Sequence, residues 1–154
     1  MGAKKGQQRI ICENRRARFE FELTNPLVAG LMLLGSEVKA LRLGNAHLND
    51  AWVGFEGNKP MLFQAHVAAY EKATHFCHEP GRPRPLLLNA AEIEDLRAAV
   101  RERGLTVVPL KLYFEGPWVK LELAVGRGRN VHDKRHAVRE REDRREMARE
   151  LARR

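Results

Sequence analysis

Only two cysteines, Cys12 and Cys77, stand in the 154 residues, too few for the disulfide framework that staples small secreted domains. The sequence has no run of about 18 apolar residues to cross a membrane and no apolar segment with the flanks of an export signal. The expected location is therefore a reducing cytoplasm, with no membrane partner. The opening MGAKKG has Gly6 where N-myristoylation needs Ser or Thr, so it reads as a flexible basic segment. Aromatic residues make up 6%, and no Lys/Arg-Gly-Phe-Gly-Phe run exists, which excludes RNA reading by the stacked sheet aromatics of an RRM. GRGRNVHDKR lacks both the Lys-Ser/Thr pair of a phosphate loop and the third glycine, strand and helix of a dinucleotide fingerprint. His66, His75, Cys77 and His78 contain neither a paired C-x-x-C nor an H-x-x-x-H spacing. The expectation is no metal and no cofactor, with His75-x-Cys77-His78 a polar surface turn.

Positive charge is abundant. Lys and Arg number 28 against 20 Asp and Glu, giving +8 and a sequence pI near 10.0. Such a surface gains free energy by displacing counterions from a polyanion, so nucleic acid is the expected partner. The charge is uneven. From Gly126 to Arg154 there are eleven Lys and Arg against six acids, which is five of the eight net charges. Most of the apolar residues needed for a core precede this stretch, so the organisation expected is one domain over residues 1–125 and a basic tail over 126–154.

RARFEFEL alternates Phe19, Phe21 and Leu23 with charged residues and predicts a half-buried strand. NPLVAG, with Pro26 in a first-turn position, predicts a short helix. GSEVKALRLG is expected as a strand with a bulge, because Val38 and Leu41 break strict alternation. AWVGFEGNKPMLFQAHV predicts two strands around Gly57-Asn58, with Pro60 at an edge. NAAEIEDLRAAVRERG predicts a helix: Asn89 and Glu92 form a capping box, Ile93, Leu96 and Val100 an apolar stripe, and Gly104 the left-handed exit. TVVPLKLYF and WVKLELAV read as a hairpin with one wet face. Many short strands and one strong helix favour a closed barrel, since closure removes exposed edges. The expected fold is mainly β with flanking helices, an OB-like antiparallel barrel plus a disordered or helical basic tail.

In the tail, Arg141, Arg145, Arg149 and Arg153 recur every fourth residue and Glu142, Glu146 and Glu150 form a second column. Each Glu–Arg pair is worth about 0.2–0.5 kcal/mol, and Val138, Met147 and Leu151 make too thin a stripe to dock. Gly126 and Gly128 read as a hinge releasing this segment. HEPGRPRPLLLN places Arg82 and Arg84 between prolines, which is expected to hold both guanidinium groups outward for phosphate. Glu37, between Lys39 and Arg42 in a basic surface, reads from pattern as an ion-pair partner; the other reading is an acceptor for RNA amino and 2′-hydroxyl groups.

Taken in order, ENRRARFEFE, GSEVKALRLG, FQAHVAAYE, EPGRPRPLLLN, VVPLKLYF and VGRGRNVHDKR resemble the SsrA-binding protein family, also called small protein B, over essentially the whole chain. The resemblance implies a monomeric RNA-binding adaptor rather than an enzyme. It would grip the tRNA-like domain of tmRNA and occupy the small-subunit decoding centre of stalled ribosomes against rRNA, with the tail in the empty messenger channel. By motif, Glu37 matches the family's RNA-contacting Glu and Leu87 and Asn89 match positions in its L-L-L-N stretch; with Lys39, Arg42, Arg82 and Arg84 they make the expected RNA surface. Arg127, His132, Asp133, Lys134, Arg135, Arg141, Arg145 and Arg149 are expected to engage the ribosome. Three positions depart from the family pattern: Glu79 replaces Asp, Pro85 replaces Lys, and Phe19 stands where many members have His. A competing hypothesis of another class is a metal- or thiol-dependent enzyme using His75, Cys77 and His78.

Overall fold

A computed structural model describes residues 7–73, 77–129 and 131–153, with the side chains of 131–134 and 137 outside the description. The elements are β1 (Gln8–Glu13), α1 (Arg15–Glu20), β2 (Phe21–Leu31), α2 (Gly35–Arg42), β3 (Ala46–His47), β4 (Trp52–Glu56), β5 (Lys59–Phe63), β6 (His66–Val67), β7 (Arg84–Leu87), α3 (Ala90–Arg101), β8 (Leu105–Glu115), β9 (Trp118–Gly128) and α4 (Val131–Ala152). The main sheet runs β1-β8-β4-β5-β7-β2-β9, and β9 pairs back onto β8. Six strands thus close an antiparallel barrel, with β1 as an extra strand on β8, as the many short strands predict. Closure is thinnest between β4 and β8, where Val53 pairs Val107. β3 and β6 form a separate small ribbon.

The barrel core holds Leu41, Leu48, Leu62, Leu96, Val107, Leu121 and Leu123, all essentially buried. A second, smaller cluster lies on the other face of the β8–β9 hairpin, where Ala17 of α1 packs on Val108, Leu110 and Ala124. The expected wet face therefore keeps Lys111, Trp118, Lys120 and Glu122 in contact with solvent, while α1 covers its Val108, Leu110 and Ala124 end. Asn14 makes this possible. Its Oδ1 accepts from Ala17 N at 3.3 Å to start α1, and its Nδ2 donates to Pro109 O at 3.1 Å. Pro109 sits where the β8–β9 register shifts, a place that tolerates its missing N–H.

Several local expectations are corrected. RARFEFEL splits: Asn14 caps a helix through Glu20, and the strand begins only at Phe21. NPLVAG remains strand, because a bulge between Thr24 and Leu27, with Asn25 at φ +50, absorbs the proline. GSEVKALR is helix, since Glu37, Ala40 and Leu41 are the buried side; their i, i+3, i+4 spacing is a helical stripe once Glu37 is allowed inside. The β4–β5 hairpin turns at Gly57-Asn58 as expected. α3 begins on the Asn89–Glu92 capping box and is followed by Gly104 at φ +80, although Leu96 is the buried member of its stripe and Val100 is 39% exposed.

The glycine hinge is also corrected. β9 pairs through Gly128, and a Cβ at Gly126 would stand 3.0 Å from Phe21 Cβ and 3.1 Å from Val108 Cγ2. Gly126 is thus required by close packing inside the sheet. α4 follows as a 22-residue helix whose described side chains are exposed. Among the described residues no helix is long and apolar enough to cross a membrane.

Candidate nucleic-acid interface

The first turn of α2 carries Ser36 and Glu37, and both hold the segment that leads from β6 into β7. Glu37 is fully buried. Its Oε1 pairs with Arg82 Nε, and its Oε2 accepts from Arg82 Nη2 at 3.1 Å and from Leu34 N at 3.4 Å. Arg84 approaches the same oxygen, with Nε at 3.3 Å, and is itself 1% exposed. Its Nη1 donates to Ala65 O at 2.6 Å and Arg82 O at 3.1 Å, and its Nη2 to Pro80 O at 3.0 Å. Burial lowers the Arg84 pKa from its usual range, and the Glu37 carboxylate opposes that shift. One carboxylate against two guanidinium groups leaves the cluster a net positive charge.

The expectation that Arg82 and Arg84 both point outward is therefore corrected. Arg84 faces inward, because it lies opposite Leu62 in the β5–β7 register, while Arg82 keeps 24% side-chain exposure. The ion-pair reading of Glu37 is the one this geometry matches. In this conformation no part of its side chain is presented to a nucleotide.

His78 supplies a second clasp that sequence reasoning missed. It is 3% exposed. Val67 O, 2.9 Å from Nε2, can only accept, so Nε2–H donates to it, and Nδ1 is hydrogen-bonded to Ser36 Oγ at 2.8 Å. The surface-turn expectation fails here because both ring nitrogens are used inside. Cys77 is exposed, and its Sγ lies 3.9 Å from the same Nδ1. His75 lies outside the described residues, and among the described residues no group of three possible ligands gathers.

Around this fixed segment the remaining expected residues are solvent-facing. Lys39 is exposed on α2, its Nζ 5.5 Å from the Tyr70 ring centroid. Arg42 ends the helix, and its carbonyl accepts from Arg9 Nη2 at 2.7 Å, which adds a third cation. Leu87, on the outer face of β7, is 55% exposed. Asn89 is exposed, with its Oδ1 committed to Glu92 N at 2.9 Å, so its amide hydrogens remain for a partner. Exposed cations on α2, and an exposed apolar side chain and a free amide just after the braced segment, are groups suited to backbone and base contacts with folded RNA.

Residues 11–153 match the family model of the SmpB protein. The chain belongs to the SmpB family. An SsrA-binding protein of Anaeromyxobacter sp. (strain Fw109-5) is 46% identical over 147 residues, covering 96% of this chain and 89% of that protein. One from Gloeobacter violaceus is 44% identical over 146 residues, covering 95% and 96%. Among solved structures, a chain from "tmRNA-SmpB: a journey to the center of the bacterial ribosome" superposes with a TM-score of 0.66 at 38% identity, over 82% of this chain and 93% of that one. The SmpB fold is thus shared as well as the sequence.

The tail residues are placed in part. Arg127 is exposed on the last strand, and Arg135, Arg141, Arg145 and Arg149 are exposed on α4; the side chains of His132, Asp133 and Lys134 lie outside the described residues. α4 does not stand clear of the barrel. Arg141 and Arg144 face Arg15, Arg18 and Phe19 of α1 across a groove of about 570 Å³ that Lys111 also lines.

Proposed function

We propose that the protein is the RNA-binding adaptor of trans-translation: it binds the tRNA-like domain of tmRNA and accompanies it to ribosomes stalled without a stop codon. The observation that carries this is the braced α2 surface in a chain of the SmpB family. Lys39, Arg42, Arg82, Leu87 and Asn89 form the contact surface. Glu37 and Arg84 act behind it by holding the segment that carries Arg82. The barrel, through the end of β9, is the RNA-binding domain, and the residues that follow it are the ribosome-engaging tail. That tail, with His132, Asp133, Lys134, Arg135, Arg141, Arg145 and Arg149, and with Arg127 at the end of β9 leading into it, takes the place of absent message in the small subunit against rRNA phosphate. The protein works as a cytoplasmic monomer and by binding, without chemistry of its own.

The test is to isolate the full-length protein from cells of its own source and sequence the RNA that accompanies it. Strong enrichment of tmRNA is expected. A background RNA profile from a folded protein overturns the assignment.

A further inference from the structure

Trp52 takes no part in the α2 surface, yet it is 45% exposed. Its ring is held flat. It pairs across β4 and β5 with Phe63, and the two rings stack with centroids 4.3 Å apart and planes 20° apart. Beside them, a Cβ at Gly54 would come within 2.5 Å of Trp52 Cζ3 and 3.2 Å of Phe63 Cε2. Both rings thus lie over bare backbone, and a glycine fixes the tryptophan as a plate.

Trp52 borders a cleft of about 180 Å³ that Phe63 does not line. The volume is below the roughly 300–1,000 Å³ of metabolite sites and suits one flat ring system. Ala17, Ala51 and Val107 supply a buried apolar floor, and Asn49 and Asp50 form part of the rim. Glu20 lines it too, paired with Arg16 at 3.2 Å. The two carboxylates disfavour a phosphate inside the cleft, but a carboxylate accepts well from the exocyclic amine of a base. Arg16, 71% exposed, stands at the rim for the phosphate that follows.

We propose that this cleft binds one unpaired RNA base, stacked on Trp52 and carrying an exocyclic amine toward Asp50. The same helix, α1, walls this cleft and the groove that faces α4. The base therefore belongs to ribosomal RNA reached together with the tail, and not to the tmRNA held at α2. The inference rests on the proposed function of the chain as a tmRNA adaptor.

Trp52→Leu in the full chain keeps apolar cover over Gly54 and removes the stacking face; Trp52→Phe restores a ring. Affinity for the tRNA-like RNA is measured by filter binding, and affinity for small ribosomal subunits by co-sedimentation. Trp52→Leu should leave the first within twofold of wild type and weaken the second about tenfold, in the range of one lost base stack, with Trp52→Phe recovering most of the loss. Unchanged subunit binding overturns the proposal, as does equal weakness of the Phe and Leu variants. Loss of tRNA-like RNA binding assigns the base to tmRNA and overturns its assignment to ribosomal RNA. A wild-type protein that binds neither partner overturns the proposed function itself, and this inference with it.

Discussion

Arg84 Nε lies 3.3 Å from Glu37 Oε2, and the two side chains are 1% and 0% exposed. A buried pair of this kind contributes little against an apolar replacement, but removing one member strands the other in a low-dielectric interior. Glu37→Gln is therefore expected to destabilise the fold by about 3–5 kcal/mol, read as a lowered urea midpoint with an unchanged slope. The double variant Glu37→Leu/Arg84→Met should recover part of that loss, because the fully buried Arg84 charge is gone while Arg82 and the carbonyls of Ala65, Arg82 and Pro80 still lack their partners. If RNA affinity recovers with stability in the double variant, Glu37 acts through the segment it holds. A folded Glu37→Gln protein with an unshifted midpoint would sink this account.

The exposed cations are expected to behave differently. Lys39 and Arg42 lie on α2 with their charged groups in solvent, and the hydrogen bond at Arg42 uses its carbonyl, not its side chain. Lys39→Ala and Arg42→Ala should leave the melting temperature close to wild type. Each should reduce the log–log salt dependence of tRNA-like RNA binding by about 0.7–0.9, the share of one phosphate contact. A variant with the wild-type slope removes its residue from the interface.

The barrel and the α3 helix were legible in the sequence because their signals are local. Val119, Leu121 and Leu123 alternate, and Asn89–Glu92 is a complete capping signature within four residues. The braced surface was not legible, because its logic is long-range. Glu37 meets Arg82 across 45 residues and Ser36 meets His78 across 42, and no periodicity encodes such a meeting. The buried glutamate also hid its own helix. Counted as polar, it leaves Val38 and Leu41 looking like a flawed strand; counted as interior, it completes the 37, 40, 41 stripe. Trp52 gave no distinct signal, since its role depends on Gly54 and Phe63 arranging it.

The two thiols should separate cleanly. Burial pushes the Cys12 pKa from 9.0 up to about 11, while Cys77 is exposed. At pH 8 a disulfide reagent should modify one thiol of the native protein quickly and two only in denaturant. The linkage has a definite sign. Because the folded pKa is the higher one, the Cys12 contribution is intact below pH 9 and is lost as pH rises toward 11. Cys12→Ala should therefore lose less stability than wild type across that window. Parallel pH profiles for the two proteins would contradict a raised Cys12 pKa.

The tail offers the sharpest division of roles, and the sheet sets where the cut must fall. Gly126 and Arg127 pair with Leu23 and Glu22 on β2 and with Thr106 and Leu105 on β8, and Gly128 pairs with Phe21. Truncation after Gly126 removes ladder bonds and should lower the melting temperature, whereas truncation after Arg129 should leave the barrel intact and its affinity for tRNA-like RNA within about twofold, less than one phosphate contact would change it. The loss should appear on the ribosome. Arg145 and Arg149 lie on the exposed helix α4, where a column of guanidinium groups can pair with rRNA phosphates. Changing both to Glu replaces attraction by repulsion at two phosphates and should abolish tagging of stalled peptides in a reconstituted translation reaction while tmRNA binding persists. Full tagging by the Arg145→Glu/Arg149→Glu protein, or loss of tRNA-like RNA binding by the chain ending at Arg129, would refute this division between barrel and tail.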